Sequence, residues 1–462
     1  MNTQNRNNIV IGLGVAGVTL CLCACALIAL GGGSWLYLRQ VSARDTATPR
    51  PTFDPNKTPE PAPTPNDTTL TKMEEIQAWV IAQRGLQPVD DSIERKFLST
   101  EEVLARQLKD FEEDTTDQEW EDSALMLEVL GLLPPDFDLK NLYLRLYSEG
   151  VAGFYDPDTK ELVVVSEQGE LNVYEQVTFA HEYNHALQDQ NYDMRGMGYS
   201  EEGWEEDSEK AAALQALLEG DASLLDEQYR ASLSRAEQRD YDDYVNSLDV
   251  QIYFEMPEYL LQDFFFPYSQ GLDFVRRYYD EGGWARVDGV WADPPLSTEH
   301  ILHPERYEAD DNPIQVPRPA LTDTLGSGWR EVERNVMGEW YTYLILAYGE
   351  AEGARLSESR ASRAAEGWGG DSYVVYRRDA DNQMVLALHW QWDTQDDADE
   401  FVAAFTQYAD DRFNRTVEYP GAQCWEATQL HCFFTNGVHT LWLAAPDQAT
   451  LEQALTQYPD LQ

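Results

Sequence analysis

The sequence predicts an α+β protein. A mainly helical domain with a small β-hairpin is expected to precede a C-terminal antiparallel α+β domain of ββαββα order, both behind one transmembrane helix. Three observations carry this reading. From Thr69 onward, apolar-periodic stretches open on capping residues and stop at Gly or Pro, which is helix punctuation. Two regions, one near residue 160 and one after residue 372, gather β-branched and aromatic residues around turn chemistry. Residues 9–38 contain no charge at all. The implied organisation is a tail (1–8), a membrane anchor (9–38), a Pro/Thr-rich stalk (39–67), a main domain (68–320) and a C-terminal domain (321–462).

Composition narrows the partners. The 462 residues include 83 acidic and 33 basic side chains, for a formal charge of −50. Such a field repels nucleic acid and anionic headgroups, so no nucleic-acid partner is expected. Hydrophobic residues at 43% are enough for a folded body with at least one large core.

Along the chain, the uncharged run Ile9–Leu38 is long enough to span a bilayer, with Trp35 and Tyr37 as interface anchors. Two readings compete with this: a cleaved signal peptide, whose usual apolar region the run exceeds, and a lipoprotein signal with a lipobox-like L-C-A-C at Leu22–Cys25, beyond which the run stays apolar. Flanking positives (Arg6 before; Arg39, Arg44 and Arg50 after) do not set the orientation. A single-pass anchor with the body outside the cytoplasm is favoured by the acidity, the stalk and the Cys424/Cys432 pair, eight residues apart, which can close a hairpin disulfide in an oxidising compartment.

The main domain opens with a helix from a Thr cap at Thr69 to Gly85. A second helix opens on a Ser99–Glu102 capping box, and a third runs from Asp117 to Leu132. Gly150–Ser166 reads as a hairpin turning at Asp156–Lys160. Its edge either offers main-chain hydrogen bonds to an extended peptide or merely covers the core.

The stretch from Val177 to Gln190, V-T-F-A-H-E-Y-N-H-A-L-Q-D-Q, is a helix apolar nearly all round and therefore buried. His181 and His185 lie one turn apart on one face, so both can hold one Zn²⁺, with Glu182 beside them as general base. Residues 191–207 read as a loop with a solvated acidic run. From Ser208 an Ala/Leu helix resumes, and Glu219 within it is the third expected zinc ligand. A buried acid is costly unless paired or metal-bound, and Gly220 and Ala222 would let two helices approach closely enough to share an ion.

These motifs resemble the zincins, zinc metallopeptidases, in their gluzincin branch. E-G-D-A at Glu219–Ala222 looks like that branch's second motif in some aminopeptidases. The resemblance implies two His and one Glu on zinc and peptide-bond hydrolysis. It departs from the thermolysin pattern, whose Asp four residues past the ligand is Ser223 here; Asp221 lies on a different helix face. The metzincin positions are Gln188 and Asn191, so that pattern is absent. Between Gly150 and Tyr307 the chain also resembles bacterial extracytoplasmic metallopeptidase-like proteins. An oxyanion donor is expected from Pro294–Tyr307, with His303 first and Tyr307 second.

Beyond Pro319, a helix at Gly338 leads to strands 372–378 and 383–392, helix 396–413, strands 424–435 and 438–444, and helix 450–458. The W-G-G-D of Trp368–Asp371 is expected to be a turn introducing the sheet. The expected function is a membrane-anchored, zinc-dependent peptidase acting on a peptide or protein. The competing readings are a non-catalytic stalked binding or adhesion module and a zinc hydrolase of a non-peptide substrate.

Overall fold

The computed structural model describes residues 59–461, apart from 91, 149–152, 167–168, 249 and 414. The expected membrane segment, its three cysteines and most of the stalk lie outside the described residues. Among the described residues, no helix is long and apolar enough to cross a membrane.

Helix α1 spans Asp67–Arg84 and ends at Gly85 in the left-handed region, φ 89°. Its cap is Asn66, whose side chain accepts from the Thr69 N–H at 2.9 Å, in place of the expected Thr. Asn is the stronger N-cap of the two because its short amide reaches the exposed N–H groups. Helix α2 (Thr100–Asp114) opens on the Ser99–Glu102 capping box. The described end of the expected stalk is not a free spacer. Glu60 N–H donates to Glu101 and Ala62 N–H to Glu102, while the Ser99 hydroxyl donates to Glu60 O. An extended segment has spare main-chain donors, and acids in the first turn of a helix take them up. Helices α3 (Asp117–Leu130) and α4 (Leu139–Ser148) follow.

The expected hairpin is β2 (Gly153–Asp156) with β3 (Glu161–Val165). A strand the sequence did not announce, β1 (Glu94–Leu98), pairs parallel to β3, giving the order β1-β3-β2. Strand β2 is thus a sheet edge.

Helix α5 (Val173–Tyr192) carries the expected metal motif and is capped by Asn172 with Glu175. The expected loop 191–207 contains two short helices, Met194–Met197 and Glu201–Glu206, and buries Trp204. Helices α6 (Ser208–Ser232), α7 (Arg235–Val245), α8 (Glu258–Gly282) and α9 (Trp284–Ala292) follow, with short helices at Gln251–Glu255, Thr298–Leu302 and Pro304–Glu308. Gly220 of α6 does not serve the contact with α5. A Cβ there would sit 2.2 Å from the Gly271 carbonyl of α8, and one on Gly271 would sit 2.2 Å from the Ala216 carbonyl. The two glycines allow α6 and α8 to cross backbone to backbone.

The C-terminal part holds β4 (Arg330–Asn335), α10 (Gly338–Tyr348), α11 (Glu358–Ala365), β5 (Trp368–Arg378), β6 (Gln383–Trp392), α12 (Gln395–Arg412), β7 (Thr416–Tyr419), β8 (Ala422–Glu426), β9 (Leu430–Asn436), β10 (His439–Ala445) and α13 (Gln448–Leu455). One antiparallel sheet runs β4-β5-β6-β10-β9-β8-β7. The single strand expected over 424–435 is two, β8 and β9, and β4 and β7 are additional to the expected strands. The W-G-G-D segment is the start of β5, not a turn. Disulfide-bonded Cys424 and Cys432 face each other across β8 and β9.

Both faces of this sheet are covered, which explains its runs of consecutive apolar residues. Tyr373, Val375 and Leu388 belong to the large core shared with the helices, while their neighbours Val374, Tyr376 and Ala387 pack in a second core that includes α13. The large core draws residues from Met73 to Ala444, on both sides of residue 320. Polar ties cross there as well: Arg330 and Arg377 grip Asp122 at 2.5–2.8 Å, and Arg412 donates to the terminal carbonyls of α3.

Candidate metal centre

The site is made where α5 packs on α6. The 3.6-residue period puts His181 and His185 on one face of α5, directed at Glu219 of α6. All three are buried, Glu219 completely. The His181 Nε2 and His185 Nε2 atoms lie 2.9 Å apart, and Glu219 Oε2 is 3.3 Å from the first and 3.4 Å from the second. These three residues form a group that could hold a metal ion.

The outer nitrogens of both rings are engaged, which turns both Nε2 atoms to the same point. Asp226 Oδ2 lies 3.0 Å from His181 Nδ1. Gln188 Oε1 lies 2.8 Å from His185 Nδ1, and the Gln188 amide donates to Leu218 O, locking its own orientation. Carboxylate or amide oxygens behind metal-binding imidazoles fix tautomer and ring direction. Neither partner was assigned from sequence. Asp226 lies seven residues past Glu219, two turns along the same face, and that periodicity was the available signal. Gln188 lies three residues past His185, one turn further along α5.

Electrostatics favour a cation at this point. Burial alone would lower the His181 imidazole, but Asp226 and Glu219 hold it well above its ordinary value. Burial would raise Glu219, yet the two imidazoles hold it far below the usual carboxylate range. Asp221, the other candidate for orienting a histidine, is fully employed elsewhere. Arg84 grips it at 2.8–3.1 Å, and Asn184 and the Trp291 indole also donate to it.

Glu182 is buried beside His181, and its Oε2 accepts from the Tyr155 N–H at 2.9 Å. Tyr155 is on β2, so this sheet edge uses one of its outward N–H groups to hold the Glu182 carboxylate. The Tyr155 hydroxyl, 2.6 Å from Asp189 Oδ2, ties the same strand to α5 a second time.

His303 and Tyr307 are not brought into this cluster. His303 Nε2 lies 2.9 Å from Glu339 on α10, and the Tyr307 hydroxyl donates to Asp293 O at 2.7 Å. Their segment touches α6 through Thr298, which donates to Glu209. Glu209 is ten residues from Glu219, roughly 15 Å along the helix. His300 is a packing residue, 2.8 Å from Asp311 O. The dense set of polar residues in this segment forms a polar joint between α8, α6 and α10, apart from the His181–His185–Glu219 group.

Comparison with known proteins adds little to this geometry. Residues 324–455 match a family model described as "Domain of unknown function (DUF8575)", a region that contains none of the three candidate ligands. No curated protein matches the chain. The chain is similar to a solved structure from Chloroflexus aurantiacus, "a putative hydrolase with a novel fold", at 14% identity and TM-score 0.34 over 63% of this chain and 97% of that one.

Proposed function

We propose that the chain is a zinc-dependent hydrolase that cleaves peptide bonds. The observation that carries this reading is the convergence of His181 Nε2, His185 Nε2 and Glu219 Oε2 within a triangle of 2.9–3.4 Å sides. Ligand atoms about 2.0–2.1 Å from a tetrahedral zinc stand roughly 3.3 Å apart, so the donor set matches in type and spacing. Two neutral nitrogens and one carboxylate leave room for a fourth, exchangeable ligand, as catalytic zinc sites require.

Zinc bound there would supply Lewis acidity toward water and carbonyl oxygen. The chain's own residues supply the rest. Asp226 and Gln188 hold the imidazoles in register. Glu182, one residue from His181 and steadied by the Tyr155 N–H, accepts the proton of the attacking water and returns it to the leaving amine. The β2 edge next to Glu182 is the surface along which an extended peptide would lie. His303 and Tyr307 could act on an oxyanion only after leaving Glu339 and Asp293, so a donor on the α5–β2 side suits that role better. With the uncharged run 9–38 and the Cys424–Cys432 disulfide, the reading extends to a membrane-anchored protein whose body lies outside the cytoplasm.

The test is digestion of a peptide library by the full chain with zinc, with chelator, and with Glu182→Gln. Zinc-dependent cleavage lost in the variant is the expected result. Peptide binding without cleavage would favour the stalked binding module instead. Zinc uptake with hydrolysis only of esters or other non-peptide bonds would move the substrate class.

A further inference from the structure

A second feature shares the face of α6 that carries Glu219. Ser208, Ala212 and Gln215 precede Glu219 at spacings of four, three and four residues. They therefore point within about 40° of it, with Gln215 roughly 6 Å along the axis. These residues line a cleft that is open to solvent. Its other walls come from α8, α10 and the short helix that carries Trp204.

The chemistry of this cleft is unusual for a neutral ligand. Two carboxylates line it, Glu209 and Asp263, and none of the lining residues is basic. Among the described residues, Glu209 accepts from the backbone and hydroxyl of Thr298, and Asp263 from the Trp340 indole and the Tyr341 hydroxyl. Neutral donors orient a carboxylate but leave its charge uncompensated, and each carboxylate has further lone pairs to offer. Burial accordingly pushes Asp263 up to about 6 and Glu209 well above its ordinary value. Phe264, Trp340 and Tyr341 also line the cleft, and aromatic rings attract cations. The buried indole N–H of Trp204, also on the cleft wall, has no hydrogen-bond partner among the described residues. That donor suits a carbonyl oxygen.

We propose that this cleft is a substrate subsite for a basic side chain, Lys or Arg, of the peptide presented to the metal centre. It rests on the peptidase reading above and adds the substrate class. The aliphatic stem would lie against Phe264 and Trp340 with the cationic head between Glu209 and Asp263. The Trp204 N–H would meet a main-chain carbonyl of the same residue.

The binding test needs no zinc and no turnover. The metal-free full chain is titrated with n-butylammonium and agmatine, against n-butanol and n-butyrate, following tryptophan fluorescence. Physiological ionic strength screens the general attraction of a −50 chain for cations. Both cations should bind at least about ten-fold more tightly than the alcohol and the anion, and Asp263→Asn should remove about ten-fold of that affinity. Glu209→Gln, which can still accept from Thr298, gives a second reading if Asp263→Asn disturbs folding, as a thermal melt would reveal. Equal binding of cation and alcohol, or undiminished binding in both variants, overturns the subsite. With zinc, peptides carrying Lys or Arg should be cleaved in preference to norleucine or Glu peptides. Cleavage indifferent to charge would refute the subsite and leave the peptidase reading standing. Selective cation binding with no peptide cleaved would do the reverse.

Discussion

Asp226 Oδ2 stands 3.0 Å behind Nδ1 of His181, while Ser223, four residues past Glu219, makes no hydrogen bond to that ring. The carboxylate that steadies the first histidine thus comes one turn later on α6 than in the thermolysin pattern. Asp226→Ala should weaken zinc binding about 10- to 100-fold, and Ser223→Ala should leave it within about two-fold. Competition against a chromophoric chelator measures both. A large effect at Ser223 with none at Asp226 would reverse the assignment.

Glu219 and Glu182 should separate binding from chemistry. Glu219→Ala removes one of three donors and should strip the metal from the purified chain, as counted by elemental analysis. Glu182→Gln should keep about one zinc per chain while hydrolysis disappears. A Glu182→Gln protein with normal turnover would take that residue out of the mechanism.

Arg84 and Asp221 are both completely buried, and their ion pair fastens α1 to the helix that bears Glu219. Removing one partner leaves the other charge uncompensated in the interior. Arg84→Met should therefore cost about 3–5 kcal/mol in urea unfolding, whereas breaking the exposed Arg195–Asp158 pair should cost under about 1 kcal/mol. A similar, small cost for both would mean that water reaches Asp221.

Glu333 gives a pH prediction. Burial pushes its carboxyl up to about 7 from an ordinary 4.5, with the Tyr373 hydroxyl only partly offsetting this. The folded chain holds this proton more tightly than the unfolded chain. Its favourable contribution is therefore complete below pH 4.5 and is lost as pH rises through about 7. Glu333→Gln should raise stability at pH 8 by up to about 3 kcal/mol and leave it nearly unchanged at pH 4. Melting curves at the two pH values read this directly, and an equal shift at both would exclude the titration.

Cys424 and Cys432 close a short loop between β8 and β9. Replacing both with Ala should cost about 2–3 kcal/mol through the greater freedom of the unfolded chain, without altering zinc content. Protein taken from cells should resist alkylation at these positions unless first reduced. Free thiols would argue against an oxidising compartment.

The elements around the site were legible where the signal is local. Ser99–Glu102 announced the start of α2, Asp156–Lys160 announced the hairpin, and the spacing of His181 and His185 fixed one face of α5. Strand β1 was not legible, because E-R-K-F-L has neither clean alternation nor turn signals and exists by pairing with β3. The same holds for β4 and β7, whose identity comes from their neighbours in the sheet.

By itself, the sequence determined that two imidazoles and Glu182 share a helix, and that Glu219 sits on another helix with small residues around it. Helical periodicity is a property of a single chain segment, so residue spacing is enough. Only the tertiary structure decided which residues meet across helices. It set Gly220 against Gly271 instead of α5, gave Asp221 to Arg84, put Asp226 behind His181, and turned His303 toward Glu339. Those outcomes depend on where α5, α6 and α8 cross and how closely they pack. Crossing geometry is set by side chains from distant parts of the chain interlocking at once, and no local pattern encodes that.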